Sequence, residues 1–179
     1  MTPQALHHAS TSVLATGRVA VVRPIRPDDE PLMVRFHEGL SDRSVYLRYF
    51  HMMTLALRTA HERLARVCGA GDDGCLVLVA EGRDERSGAP VIMGVARLQP
   101  AGEAGEAEFA IVVADDHQGV GVGAALMARL VEAARVEGVS RLRADILAEN
   151  GAMRRLCART GIPVRPTADP QVVVADLRL

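Results

Sequence analysis

Tryptophan is absent from the 179-residue chain and aromatic residues make up only 3% of it. That scarcity excludes a stacking platform for single-stranded bases or sugars and leaves an aliphatic core. Cysteine is almost as rare: Cys68, Cys75 and Cys157 are an odd number without C-x-x-C spacing, which points away from a disulfide framework or a zinc knuckle and toward a reducing cytoplasm. Neither charge dominates, since 24% of residues are charged and the net charge is -1. A basic field for nucleic acid is therefore missing, and a small or mildly charged partner is expected. No segment approaches the ~20 apolar residues that span a bilayer, and the opening MTPQALHHASTSVLATG has no basic start followed by a long apolar run. The expectation is a soluble cytoplasmic protein with no membrane partner. Six scattered histidines show no ligand spacing, so no metal is expected.

What is present fits one domain, because half of the residues are apolar and the length leaves little for a second core. Residues 1–17 read as a flexible lead-in or an arm that packs late, and 18–179 as the domain. VAVVRPI, from Val19, is a short β-branched run, and Pro27 with the acids after it suits a helix's first turn. Helical stretches follow over Asp28–Leu40, from Ser41–Asp42, and over Leu55–Val67, ending at GAGDDG. CLVLVAEG, APVIMGVARLQP and EAEFAIVV then form an antiparallel meander of three strands. In the last, Ala107, Phe109, Ile111 and Val113 share one face and Glu106, Glu108 and Ala110 the other.

Between Gly121 and Gly138, Leu126, Met127, Leu130, Val131 and Ala134 recur at helical spacing, with Arg129, Glu132 and Arg135 opposite. Arg141–Leu147 alternates as a strand. Asn150 opens a second helix that ends at Gly161, and QVVVADLRL reads as a last strand. The segment Asp116 to Gly123 (DHQGVGVG) thus lies between a strand and a helix, where free backbone N–H groups converge on an anion at the helix's positive end. Glycine permits the close approach that a Cβ would block. The turn either holds a phosphate or diphosphate or merely packs helix on strand. A P-loop would need Gly-Lys-Ser/Thr where Ala124-Ala125 stand, and a dinucleotide fold would need G-x-G-x-x-G in an early β-α-β unit.

The text Q-G-V-G-V-G (Gln118, Gly119, Val120, Gly121, Val122, Gly123) resembles the Q/R-x-x-G-x-G/A motif of the GNAT acetyltransferase family. A second stretch, from Ile146 through Asn150 to Met153, Leu156 and Gly161-Ile162, resembles that family's N-x-x-A/M-x-x-L-x-x-x-x-G-F/I segment. The resemblance runs from about Val19 to Leu179. SDRSVYLRYF (Ser41–Phe50), EFAIV (Glu108–Val112) and Asp115–Gly123 are most similar to the acetyltransferase domain of bacterial Pat-type protein lysine acetyltransferases. It implies a mixed α/β GNAT fold: a mostly antiparallel sheet of six or seven strands, flanked by helices and splayed between its fourth and fifth strands. It also implies direct acetyl transfer from acetyl-CoA to a primary amine, a protein lysine before a small amine, by a monomer or homodimer. A non-catalytic acetyl-CoA sensor is the rival from another class.

Within that resemblance, Gln118 to Gly123 hold the diphosphate, and Ile111, Val112 and Val113 line the acyl-CoA cleft, with N–H groups near Val112 or Val113 facing the thioester carbonyl. Asn150 and Met153 approach the pantetheine arm, while Asn150 also suits a helix cap. A lysine's ordinary pKa of ~10.4 calls for a proton acceptor. Glu108 is the candidate base, against the alternative of a solvated strand glutamate. Asp115 and Asp116 relay protons, repel acidic substrates or simply serve as loop and capping residues, and His117 lies beside the turn. Cys157 stands where many relatives carry a tyrosine that protonates the leaving thiolate, and a small buried residue is the other reading. Tyr46, Arg48, Tyr49 and Phe50 lie in the helical half that shapes the acceptor pocket in this family, or else pack.

Overall fold

Eight segments, the longer ones built on apolar runs, form one sheet in the order β1-β2-β3-β4-β5-β6-β8-β7. The computed structural model describes residues 9–69, 74–102 and 104–179. Its strands are β1 (Ser10–Val13), β2 (Val19–Pro24), β3 (Leu76–Arg83), β4 (Pro90–Pro100), β5 (Glu106–Val113), β6 (Arg141–Leu147), β7 (Val164–Pro166) and β8 (Val172–Arg178). Between β2 and β3 come a 3-10 turn (Pro27–Asp29) and helices α1 (Glu30–Glu38), α2 (Asp42–Tyr49), α3 (Leu55–Arg58) and α4 (His61–Cys68). A second 3-10 turn (Asp115–His117) and α5 (Val122–Val136) follow β5, and α6 (Gly151–Arg159) follows β6.

The meander β3-β4-β5 is as expected, and every strand pair is antiparallel except β5 with β6. The sheet has eight strands rather than six or seven. One addition is β7, whose three residues pair with β8. The other is β1, which lies in the segment expected to be flexible. Ser10–Val13 pairs with Val19–Val22, and Leu14 beyond it is 5% exposed in the core. Residues 1–8 of that segment lie outside the described residues.

Alternation along β3 divides two cores. Leu78 and Ala80 face a cluster with Phe109, Leu126, Met127, Leu130 and Leu142, whereas Val77 and Val79 face Met33, Phe36, Val45 and Leu64. At about 1.5–3 kcal/mol for each large aliphatic side chain fully removed from water, these layers hold α5 on one face and the α1–α4 group on the other. The third predicted helix is broken, because Ala60 takes a non-helical ψ of 128° and separates α3 from α4. Arg129, expected among the exposed charges of α5, is buried and reaches the exposed Glu132 at 2.7 Å.

Two local devices position the functional cleft. A Cβ on Gly94 of β4 would lie 2.9 Å from Leu126 Cδ1, 3.0 Å from Val122 Cγ1 and 3.2 Å from the Val112 carbonyl. Only glycine lets the first turns of α5 lie so close on the sheet. On the other face, Arg23 of β2 grips Asp29 through two bonds of 2.7 Å and Glu81 of β3 through bonds of 2.9 and 2.6 Å. Although burial pulls the Asp29 carboxyl upward, its bonds from Arg23 and the Arg26 N–H hold it below the ordinary value. This network seats the start of the α1–α4 group on the sheet.

Candidate active site

β5 and β6 pair only through Glu106, Ala107 and Glu108 with Arg141, Leu142 and Arg143. Beyond Glu108, β5 continues on β4 and β6 continues on β8, so the strands separate. The splay lies where the resemblance placed it; the strands are fifth and sixth because β1 precedes them. The C-terminal end of α2 closes over the opening to leave a cavity of about 320 Å³, lined by Arg48, Tyr49, Glu108, Ile111, Asn150 and Met153, among others.

The alternation of ladder bonds decides which backbone groups enter the splay. The Ala114 N–H donates to the Met93 carbonyl at 2.9 Å, so Val112–Val95, two residues back, is also a hydrogen-bonded pair. Ile111 and Val113 occupy the alternate positions, and their N–H groups turn toward the splay while that of Val112 turns toward β4. The Gln118 amide accordingly reaches the Val113 carbonyl at 3.1 Å.

The glycine turn stands at one end of this splay. Gly119 and Gly121 have φ of +77° and +107°, values that residues with a Cβ rarely adopt. No side chain caps Gly121 at the start of the 15-residue α5, so the first N–H groups of that helix face outward with the positive end of its dipole. A Cβ at Gly119 would meet nothing within 4 Å, which leaves room over the turn for the oxygens of a diphosphate. The Val122 side chain is buried below, and Gly123 packs near Leu156. The Val120 carbonyl accepts from the Ala15 N–H at 3.0 Å, tying the turn to the strand that was expected to be loose.

The other end is built from side chains. Glu108 is exposed at the cavity wall, on the face turned away from Phe109 and α5, and accepts from the Gln99 amide at 3.4 Å. Arg48 and Tyr49 face it from α2, together with Leu47 and Phe50; Tyr46 does not line the cavity. The Asn150 Oδ1 accepts from the Met153 N–H at 3.0 Å as the α6 cap, and both residues line the cavity.

The two ends are linked by a set of bonds that the sequence patterns did not reveal. Asp115 accepts from Ser41 Oγ at 2.7 Å, the Ser41 N–H at 3.1 Å and Ser44 Oγ at 3.0 Å. Burial pulls the Asp115 carboxyl upward, but these bonds hold it below its ordinary value. Asp115 is therefore a tie to α2, which agrees with the capping alternative. Gln118 adds a bond of 3.2 Å to Ser44 Oγ. The only signal for this link was Ser41-Asp42 as a helix start, because its partners lie more than 70 residues away. Cys157 is fully buried, and burial pushes its thiol up to about 11. It packs in the α5 core, which agrees with the small-buried-residue reading.

This architecture agrees with known proteins. Residues 20–162 match the family model described as acetyltransferase (GNAT) domain. A Pseudomonas aeruginosa acetyltransferase, PA5475, is 30% identical over 167 residues, covering 93% of this chain and 87% of that protein. The acetyltransferase Pat of Mycolicibacterium smegmatis is 32% identical over 146 residues; these are 82% of this chain but only 42% of Pat. Among solved structures, the GNAT domain of S. lividans PAT superposes with a TM-score of 0.83 at 29% identity, with 100% of both chains covered. Mycobacterium smegmatis RimJ in complex with CoA-disulfide shares the fold, with a TM-score of 0.73 at 17% identity over 95% of this chain and 86% of that one. The splayed sheet, the glycine turn at its opening and these matches together place the chain in the GNAT acetyltransferase family, as an acyl-CoA-dependent N-acetyltransferase.

Proposed function

We propose that the protein transfers an acetyl group from acetyl-CoA to a primary amine, favouring a protein lysine, with Glu108 as general base. The observation that carries this reading is the position of Glu108 on the wall of the cavity in the β5–β6 splay, the same splay that the glycine turn adjoins through the bond from Gln118 to the Val113 carbonyl. Acetyl-CoA supplies the activated acyl group as a thioester. Gln118 to Gly123 hold its diphosphate through backbone N–H groups at the start of α5, and Asn150 and Met153 border the path of its pantetheine arm. The N–H groups of Val113 and Ile111 orient the acyl carbonyl. Glu108 accepts the proton of the incoming ammonium directly or through one water.

The lysine acceptor is supported by the resemblance to Pat-type protein lysine acetyltransferases over Ser41–Phe50, Glu108–Val112 and Asp115–Gly123. The cytoplasm is supported by three buried unpaired cysteines, and among the described residues no helix is long and apolar enough to cross a membrane. The chain contains no lysine, since all 21 of its basic residues are arginine. Label incorporated in a lysine-peptide assay therefore reports the peptide and not the enzyme's own side chains.

Glu108→Gln tests the assignment. Turnover with lysine peptides should fall by about 10²–10⁴-fold, the usual contribution of a positioned base, while calorimetry finds acetyl-CoA affinity retained. Undiminished turnover would remove Glu108 from the chemistry.

A further inference from the structure

Several arginines of this protein are paired with carboxylates. Arg23, Arg141, Arg18 and Arg43 each reach a carboxylate within 3.4 Å. Around the acceptor end of the cavity the pattern differs. Arg48 and Arg63 flank the Tyr49 ring, with guanidinium carbons 4.9 and 5.3 Å from its centre. Arg63 donates to the Tyr49 hydroxyl at 3.0 Å, and Arg58, 5% exposed, donates to the His37 carbonyl at 2.7 Å. Neither Arg48, Arg58 nor Arg63 pairs with a carboxylate among the described residues. Buried Nε atoms of Arg58 and Arg63, and Nδ1 of His37, have no hydrogen-bond partner.

Arg97 joins the group from β4. It is opposite Ala110, a cavity-lining residue, and cross-strand partners share a face, so it stands beside Glu108 with Gln99. It too lacks a carboxylate, bonding instead to Cys75 Sγ at 2.9 Å. The carboxylates of the cavity wall are Glu108 and Asp145. On β6 and β8, Arg141 is taken up by Glu106 and Asp176, and Arg143 stands near Asp176 in the ladder. The excess positive charge thus gathers on the α2 side, and its field shows on His37: burial first, then Arg63, Arg58 and Arg48, lowers the imidazole to about 4.

Arg97 and Arg63 act against the charge of Arg48 and Glu108 acts for it, so the cations outnumber the carboxylate that faces them and a ligand's carboxylate would add counter-charge when bound. We infer that Arg48, supported by Arg63 and Tyr49 and flanked by Arg97, recognises a carboxylate carried beside the acceptor amine. The guanidinium fork suits two-bond recognition of that group. The inference rests on the acetyl-transfer reading and adds its acceptor specificity. The carboxylate comes either from an Asp or Glu next to a peptide lysine or from a small amino acid.

The test compares lysine peptides that differ only in Asp or Asn beside the lysine, and β-alanine with its amide, by kcat/KM from thiol release. One charge-assisted contact predicts about a tenfold preference for the carboxylate-bearing acceptor at low salt, shrinking as ionic strength rises. Arg48→Gln should bring that ratio close to one, Arg48→Lys should keep part of it, and Arg97→Gln should lower it less; unaltered acetyl-CoA affinity reports an intact fold in each. A preference confined to the peptides assigns an acidic flank, and one confined to β-alanine assigns a small amino acid. Equal rates for charged and neutral acceptors, or a ratio unmoved by both Arg48→Gln and Arg97→Gln, overturn the inference while acetyl transfer stands. If no amine releases thiol, the acetyl-transfer reading fails. Calorimetry of the acetylated Asp and Asn peptides on the CoA-loaded protein then decides carboxylate recognition, with equal affinities overturning it.

Discussion

The two ends of the cleft are built from different materials. The end proposed for acyl-CoA is backbone: a glycine turn, the start of one helix and N–H groups of β5. The acceptor end is side chain: Glu108 from a strand, Arg48 and Tyr49 from α2, Arg63 from α4. A backbone site demands little of residue identity beyond glycine spacing, so it suits a constant diphosphate. A side-chain site can be retuned residue by residue, as a variable acceptor requires. The bonds from Ser41 and Ser44 to Asp115, and from Gln118 to Ser44, join the two.

This division can be broken from either side. The largest effect is expected at the foundation of the acceptor half. Arg23→Met leaves Asp29 buried without its partner and should cost about 3–5 kcal/mol of stability. Hydrogen exchange should rise in α1–α4 well before α5; uniform loss of protection would mean the halves are not separable. Next, Gly121→Glu puts a Cβ at a φ of +107° and a negative charge at the α5 N-terminus. Strain alone costs about 1–3 kcal/mol, so calorimetry should find acetyl-CoA binding weakened by tenfold or more, and unchanged affinity would take the turn out of the site.

A smaller effect follows pH. His37 is neutral in the fold with a pKa of about 4, against 6.5 ordinarily. The unfolded chain therefore binds its proton first, and the stability is complete above pH 6.5 and lost progressively as pH falls toward about 4. The loss approaches about 1.4 kcal/mol per pH unit. Urea unfolding should show this slope in the native protein and less of it in His37→Gln; equal slopes would remove the electropositive acceptor end from the explanation. The smallest is Ser44→Ala, which deletes two of the bonds between the ends and leaves those from Ser41 to Asp115. It should cost about 0.5–1.5 kcal/mol, read as a few-fold rise in KM for both substrates, whereas a rise for one alone would show that the ends act independently.

The same contrast governs what the sequence makes legible. The glycine turn, the α5 stripe, the meander and the Asn150 cap are local patterns, and each stands where its residues predict. Glu108 could be assigned to its face by alternation along β5 alone. Other features depend on partners distant in the chain. Ser10–Val13 (STSV) carries no apolar alternation and becomes a strand only by pairing with β2. Val164–Pro166 is too short to be distinguished from a loop. Gly94 has no distinguishing neighbour in sequence; the close approach of Leu126 and Val122 is what requires glycine there. The two arginines that flank Tyr49 come from α2 and α4, and Arg97 comes from β4, so no spacing rule gathers them.

The central claim is that one cleft holds acetyl-CoA at the glycine turn and an amine at Glu108. Its most direct test is a calorimetric titration with acetyl-CoA, followed in the same preparation by thiol release with and without lysine peptide. The account predicts saturable binding and release that requires the amine. Absence of binding, or release at the same rate without an amine, would contradict it.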